Sequence, residues 1–408
     1  MENSNRKAAL IISTLDTKGV ETLYLRDKIA SLGVTPLLMD ISMRGKGGSP
    51  ADISPAQVAE AGGSSLEEIH ASRERSKNTN ITIKGASKIA GDLFAQGKLD
   101  GVIAMGGSTG SLMATEVMRS LPFGVPKLMI SSTAALPGLS TRYIGTGDII
   151  LFHSVIEISG VTDLLKNVMD RAACALAGMV QGEVTSSRAE AGKAIAMTML
   201  GPCEQCASSV RMILERSGYQ VTGFSAAGIS DRAMEEMMTA GLFQGVIDLA
   251  PGGVGEHLFG FMRDAGPHRM EAAGNAGVPQ IISTCSVNHM TPSKRKYKPE
   301  YHDRPKYDLD KLRTWIRLSA DELKQVAGAF AEKLNRAQGP VCVMLPQKGW
   351  SSVDYPGNAT FNPEEDRVFN EVLREKLNPD ITIMEVDANM EDPAFADVVA
   401  KAALKMFS

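Results

Sequence analysis

The sequence predicts an α/β protein made of two tandem, doubly wound domains with mainly parallel sheets. Two observations predict it. Short, almost continuously apolar runs rich in Ile, Leu, Val and Met alternate with amphipathic stretches along the chain. Strands buried on both faces of a parallel sheet read in this way. The order strand, polar loop, helix, glycine, strand that begins at Ala8 begins again at Lys193, which points to two similar units in succession.

In the first half, strands are expected over residues 8–13, 35–40, 101–105, 127–132 and 149–152, and helices over 21–31, 54–62, 82–96 and 110–120. Residues 162–180 read as one long helix, because Thr162 is a favoured N-cap type and Asp163 places negative charge in the first turn. The polar segment 181–192 follows and marks the boundary, giving domains at 1–185 and 190–408. In the second half, strands are expected over 193–200, 219–225, 245–249, 279–284, 341–345 and 381–386, and helices over 207–217, 233–240, 320–334, 363–377 and 393–406. Residues 292–305 break the pattern. Lys294, Arg295, Lys296 and Lys298, interleaved with Tyr297 and Tyr301, read there as an exposed basic arm.

Composition narrows the function classes. A chain of 408 residues accommodates two or three domains. With 43% hydrophobic and 22% charged residues it is neither disordered nor collagen-like. Its 43 Lys and Arg against 47 Asp and Glu give a net charge of -4. Proteins that neutralise nucleic-acid phosphates are usually basic, so no nucleic-acid partner is expected. No apolar run reaches the roughly 18 residues of a membrane span, and the stretch 8–12 is too short for a signal-peptide core. Five cysteines, an odd number, argue against a disulfide scaffold. The expectation is a cytoplasmic protein with no membrane partner.

In doubly wound sheets, ligands sit outside the carboxyl ends of the strands. Three polar loops follow first-half strands. The first is Ser13-Thr14-Leu15-Asp16-Thr17-Lys18-Gly19. There Lys18 suits a phosphate, Asp16 suits a ribose hydroxyl or a metal, and a plain helix cap is the competing reading. The second, Met105-Gly106-Gly107-Ser108-Thr109-Gly110-Ser111, is the strongest local signal. Its glycines let the backbone approach a ligand, and its hydroxyls and N–H groups cradle an anion. It is neither a Walker A loop nor a dinucleotide fingerprint. The third comprises Ser132 and Thr133, with Gly145, Thr146, Gly147 and Asp148 further on. Together the loops are expected to form one cofactor cleft, with Asp16 and Asp148 as candidate metal ligands.

In the second half, Glu256, His257, Cys285, His289, Lys348 and Asp354 follow strands and are candidate acids, bases or nucleophiles. Packing or capping is the commoner role for each alone. Cys203-Glu204-Gln205-Cys206 sits where a redox motif would, but no second C-x-x-C completes a zinc site.

Several segments resemble the N-terminal region of the plant tobamovirus-resistance proteins and its bacterial relatives. They are Thr14-Leu15-Asp16-Thr17-Lys18, Gly106-Gly107-Ser108-Thr109-Gly110-Ser111, Arg119-Ser120-Leu121-Pro122-Phe123-Gly124, Tyr143-Ile144-Gly145-Thr146-Gly147-Asp148, Arg232-Ala233-Met234-Glu235 and Asp392-Pro393-Ala394-Phe395-Ala396. The resemblance runs across nearly the whole chain. It implies two Rossmann-like domains, a homodimer, and ATP or another nucleotide held by the first two loops. The second half departs from the pattern, with Ala227-Gly228-Ile229-Ser230-Asp231 before Arg232 and Ala388-Asn389-Met390-Glu391 near the end.

Three functions follow as expectations. The first is an ATP-binding enzyme of small-molecule metabolism, with the ligand at the strand ends between the two domains and Mg2+ bridging phosphate to Asp16 or Asp148. The second is an ATP-independent hydrolase or lyase acting on a small carboxylate or keto acid through the second-half acid and base residues. The third is a binding module without turnover.

Overall fold

The structure, a computed structural model, describes residues 6–44, 51–183, 193–311 and 313–408. It comprises two compact units, Met1–Ser187 and Arg188–Ser408. Most of the expected boundary segment 181–192 lies outside the described residues.

The first unit runs β1 (Ala8–Ser13), α1 (Leu15–Ser31), β2 (Thr35–Asp40), α2 (Pro55–Ala61), α3 (Leu66–Ala71), α4 (Arg75–Ala95), β3 (Gly101–Gly106), α5 (Ser108–Arg119), β4 (Lys127–Ser131), α6 (Leu139–Ile144), β5 (Ile150–His153) and α7 (Asp163–Gln181). Its five strands are all parallel, in the order β2-β1-β3-β4-β5. Alternate residues serve opposite faces. Ala9 and Ile11 of β1 pack with Leu25 of α1 and Leu176 of α7. Leu10 and Ile12 pack with Ala86 of α4 and Met113 of α5. Both faces are covered, which is why the strands read as unbroken apolar runs. Thr162 caps α7 by accepting from the Leu165 N–H, as its residue type predicts.

The second unit runs β6 (Ala194–Met199), α8 (Glu204–Arg216), β7 (Gln220–Ser225), α9 (Ile229–Thr239), β8 (Gly245–Asp248), α10 (Gly253–Phe259), α11 (Ala272–Asn275), β9 (Gln280–Ile282), β10 (His289–Met290), β11 (Lys306–Asp308), β12 (Thr314–Arg317), α12 (Ala320–Leu334), β13 (Val341–Pro346), α13 (Pro363–Lys376), β14 (Thr382–Val386) and α14 (Pro393–Met406). Six parallel strands take the order β14-β13-β9-β8-β6-β7. In each sheet the first strand lies between the second and the third. The chain is therefore two Rossmann-like α/β units in tandem.

A small antiparallel sheet, β10-β12-β11, interrupts the second unit. The segment read above as an exposed arm connects its strands β10 and β11. Lys294, Arg295 and Lys298 are exposed there, but Tyr301 is only 1% exposed. Its ring packs against Phe261 and Tyr297 and carries Arg304 and Lys298 on its faces. The apolar rings anchor the segment and its charges remain in water. Among the described residues, no helix is long and apolar enough to cross a membrane.

Candidate functional site

The first sheet reverses direction between β1 and β3, and a cavity of about 820 Å3 opens at their carboxyl ends. This is the switch point at which doubly wound sheets hold ligands, and the volume suits a small molecule. Asp16, Thr17 and Lys18 line one side and Gly107, Ser108, Thr109 and Gly110 another. Thus two of the three expected loops meet.

The glycine loop owes its shape to close approach. A Cβ on Gly106 would lie 3.2 Å from the Gly110 Cα, so β3 passes into α5 with the two backbones nearly touching. Gly107 precedes α5, and no side chain caps that helix. A Cβ on Gly110 would meet nothing within 4 Å. The positive end of α5 is therefore presented to the cavity. Ser111 does not reach it, because its hydroxyl is buried on Ser131 Oγ at 2.7 Å. Thr133 acts on the loop indirectly. Its hydroxyl lies 2.8 Å from the Tyr143 hydroxyl, which in turn reaches the Ser108 carbonyl at 3.4 Å. Ser132 Oγ lies 3.9 Å from the position of a Gly107 Cβ.

The turn after β1 is differently engaged. The Leu15 N–H donates to Asp40 Oδ1 and the Asp16 N–H to Ser42 Oγ, both at 3.1 Å. Those donors are spent within the protein. The backbone kinks at Lys18 (φ -129°, ψ 21°), ahead of Gly19. Lys18 Nζ donates to the Ile158 carbonyl and lies 3.6 Å from Glu157.

The cavity's remaining charge comes from residues beyond the three polar loops, one of them in the loop after β2. Arg44, Arg73 and Arg75 line it with His70, all four exposed. Among the described residues, none of the three arginines is in an ion pair. Arg75 Nη2 donates to Thr109 Oγ1 at 2.8 Å. The turn bearing Arg73 is fixed by the buried Asn78, whose Nδ2 donates to the carbonyls of Ile69 at 2.9 Å and Ser72 at 3.3 Å. A local signal was present: Ser65 and Glu68 form a capping box, which marks the start of α3.

The Gly145–Asp148 loop is not part of this cleft. Asp148 holds Lys127 Nζ at 2.6 Å and accepts from the Gly124 N–H at 2.7 Å. Lys127 is the first residue of β4, so this loop lies at the amino end of the sheet. Cβ atoms on Gly145 and Gly147 would crowd Arg119, the last residue of α5. Thr146 lies between them in the same loop. The chain leaves β4 at the carboxyl end, and α6 carries it back before β5. Asp16 and Asp148 therefore stand at opposite ends of the strands and do not form a joint metal site. Among the described residues, no three His, Cys, Asp or Glu side chains are placed to hold a metal.

Four of the six second-half candidates, Glu256, Cys285, His289 and Asp354, are buried around Arg263 and Arg317, and none of the six lines this cavity. Glu256 is buried against Arg263 at 2.8 Å and Thr291 at 2.6 Å. Cys285 is fully buried beside Cys203, and burial pushes its thiol pKa well up. His289 is buried 5.9 Å from the Trp315 ring centroid. Burial, Arg317 and Arg263 push its pKa down to about 3, so the ring is neutral. Asp354 is buried with Asn288 and the Trp350 N–H, each at 2.9 Å, and burial raises its pKa. His257 is half-exposed and 2.8 Å from Asp264. Lys348 is exposed, 2.9 Å from Asp387. The loops after β8, β9 and β13 turn inward because Leu249, Ala250, Val287, Trp350 and Val353 belong to the core. At the corresponding switch point, between β6 and β8, α8 has an anion of its own. Glu391 accepts from the Gln205 N–H at 3.3 Å and the Cys206 N–H at 3.1 Å. Cys203 and Cys206 are core residues, and burial raises the Cys206 thiol pKa far above normal.

The comparisons with known proteins agree with this division. Residues 7–185 match the N-terminal domain, and residues 192–407 the C-terminal domain, of the family described as uncharacterised protein family UPF0261. A UPF0261 protein of Clostridium tetani is 32% identical over 402 residues, covering 98% of this chain and 99% of its own. A Brucella suis member is 31% identical and covers 97% of this chain and 94% of its own. The ToMV resistance protein Tm-1(GCR237) of Solanum lycopersicum is 30% identical over 99% of this chain, which spans only 56% of the tomato protein. Identity at this level along both units and their full length shows that the chain belongs to the UPF0261 family.

Proposed function

We propose that the N-terminal unit binds a nucleotide, ATP foremost, through its phosphates. One observation carries this reading: a cavity of ligand size at the β1/β3 switch point, where the uncapped start of α5 and several cations face one carboxylate, Asp16. Arginine guanidinium groups match phosphate oxygens in pairs, and helix N-termini favour anions. Mg2+ would enter with the phosphates and neutralise their oxygens. Asp16 is the wall carboxylate it would meet, and Asp148 takes no part. Thr17, Ser108 and Thr109 supply hydroxyls to the same surface. In this reading the chain is an enzyme of small-molecule metabolism, with its ligand held by the first unit. The family's homodimer is proposed with it and is checked by light scattering.

Hydrolase or lyase chemistry in the second unit has no comparable support, since Cys285, His289, Glu256 and Asp354 are enclosed. Calorimetric titration with ATP and Mg2+ tests the proposal. Saturable binding by the wild type, lost in Gly107→Val with an unchanged melting temperature of the free protein, is the expected result. Equal binding by the variant, or none by the wild type, overturns it.

A further inference from the structure

We infer that Arg44, Arg73 and Arg75 form a polyphosphate clamp, so that the cavity selects ligands by their number of phosphates. The inference rests on the nucleotide reading and specifies which nucleotides qualify.

The argument begins with charge. One phosphate monoester carries at most two negative charges. The start of α5 supplies the equivalent of about half a positive charge through its free N–H groups. Lys18 adds an ammonium at the edge of the same surface, already shared with the Ile158 carbonyl and Glu157. A monophosphate is largely served by these two. Three guanidinium groups remain along the cavity, outside any ion pair among the described residues. Asp16 is the one carboxylate among the lining residues. Surface arginines held together without counter-ions repel one another, and a ligand bearing several negative charges relieves that repulsion.

The placement is built. Arg73 sits on a turn held by the buried Asn78, and Ser72 Oγ accepts from the Glu74 N–H at 3.1 Å within that turn. Arg75 reaches across to Thr109 Oγ1, which puts its guanidinium beside the glycine loop. A phosphate on that loop therefore lies next to Arg75, and Arg73 and Arg44 line the same cavity for the further phosphates. A nucleoside triphosphate meets this demand. A monophosphate does not, and a dinucleotide, whose two phosphates are bridged and carry one charge each, meets it poorly.

Titration of the full chain at fixed ionic strength tests the clamp, with ATP, AMP, NAD, inorganic tripolyphosphate and orthophosphate as probes. The wild type is expected to bind ATP at least a hundredfold more tightly than AMP or NAD. It should bind tripolyphosphate more tightly than orthophosphate. Arg73→Ala and Arg44→Ala should each weaken ATP and tripolyphosphate about tenfold and change AMP less than twofold. Both side chains are exposed, so the melting temperature of the free protein should not move. Equal affinity for ATP and AMP, or unchanged ATP binding in both variants, overturns the clamp. If ATP fails to bind but tripolyphosphate binds and Arg73→Ala weakens it, the nucleotide reading fails and the clamp stands. If neither binds, both fail.

Discussion

Arg75 donates through Nη2 to the Thr109 hydroxyl 2.8 Å away, and that bond joins the start of α4 to the first turn of α5. Because the bond is exposed, it adds little to stability. Its effect is to hold the guanidinium where a phosphate on the glycine loop would be met. Thr109→Val removes the acceptor and keeps the shape. The expected outcome is a three- to tenfold loss of ATP affinity with no change in melting temperature, read by calorimetry beside a thermal scan.

Asp148 and Asp16 should separate cleanly by mutation. Asp148→Ala leaves the buried Lys127 ammonium with only the Pro122 and Val125 carbonyls, at 2.7 and 3.1 Å. An uncompensated buried charge of this kind costs about 2–4 kcal/mol. Denaturant unfolding should show that loss while ligand affinity per folded molecule stays unchanged. Asp16→Ala should do the reverse, altering only the Mg2+ dependence of binding.

His289 makes the second unit acid-sensitive. Its folded pKa of about 3 lies below the ordinary 6.5. The unfolded chain therefore takes up a proton first as pH falls. The stability due to the neutral ring is complete above pH 6.5 and is lost toward pH 3, by at most about 1.4 kcal/mol per pH unit. Relative to His289→Leu, the wild type should lose stability over that window in urea titrations at stepped pH. Parallel curves for the two proteins would show that the ring does not titrate as described.

Glu391 should behave as a helix cap. Glu391→Ala frees the Gln205 and Cys206 N–H groups, and the expected loss is about 1 kcal/mol by chemical denaturation. Nucleotide affinity should be unaffected.

Much of this was legible beforehand, for identifiable reasons. Strands such as Ala8–Ser13 and Thr35–Asp40 fall where their apolar runs placed them, because both sheet faces are covered. Strands of two or three residues, such as His289–Met290 and Lys306–Asp308, are too short to show a period. At the site, the strand-end rule found Asp16–Lys18 and Gly107–Gly110. It did not single out Arg44, four residues beyond β2, or Arg73 and Arg75, which the turn after α3 and the start of α4 bring to the cavity. It placed Asp148 wrongly because α6 returns the chain across the sheet between Thr133 and that residue. It did not foresee that Cys285 and His289 are buried, because a loop that turns inward carries the same residue types as one that faces water.

The two sheets are wound alike, so each has an edge where such folds place a ligand. At one of them the chain has seated its own carboxylate, Glu391, over the start of α8, and the Ser286 carbonyl closes on Gly252 at the start of α10, the counterpart of α5. A polypeptide with two equivalent edges should then saturate at one equivalent of ligand, the second place being filled from within.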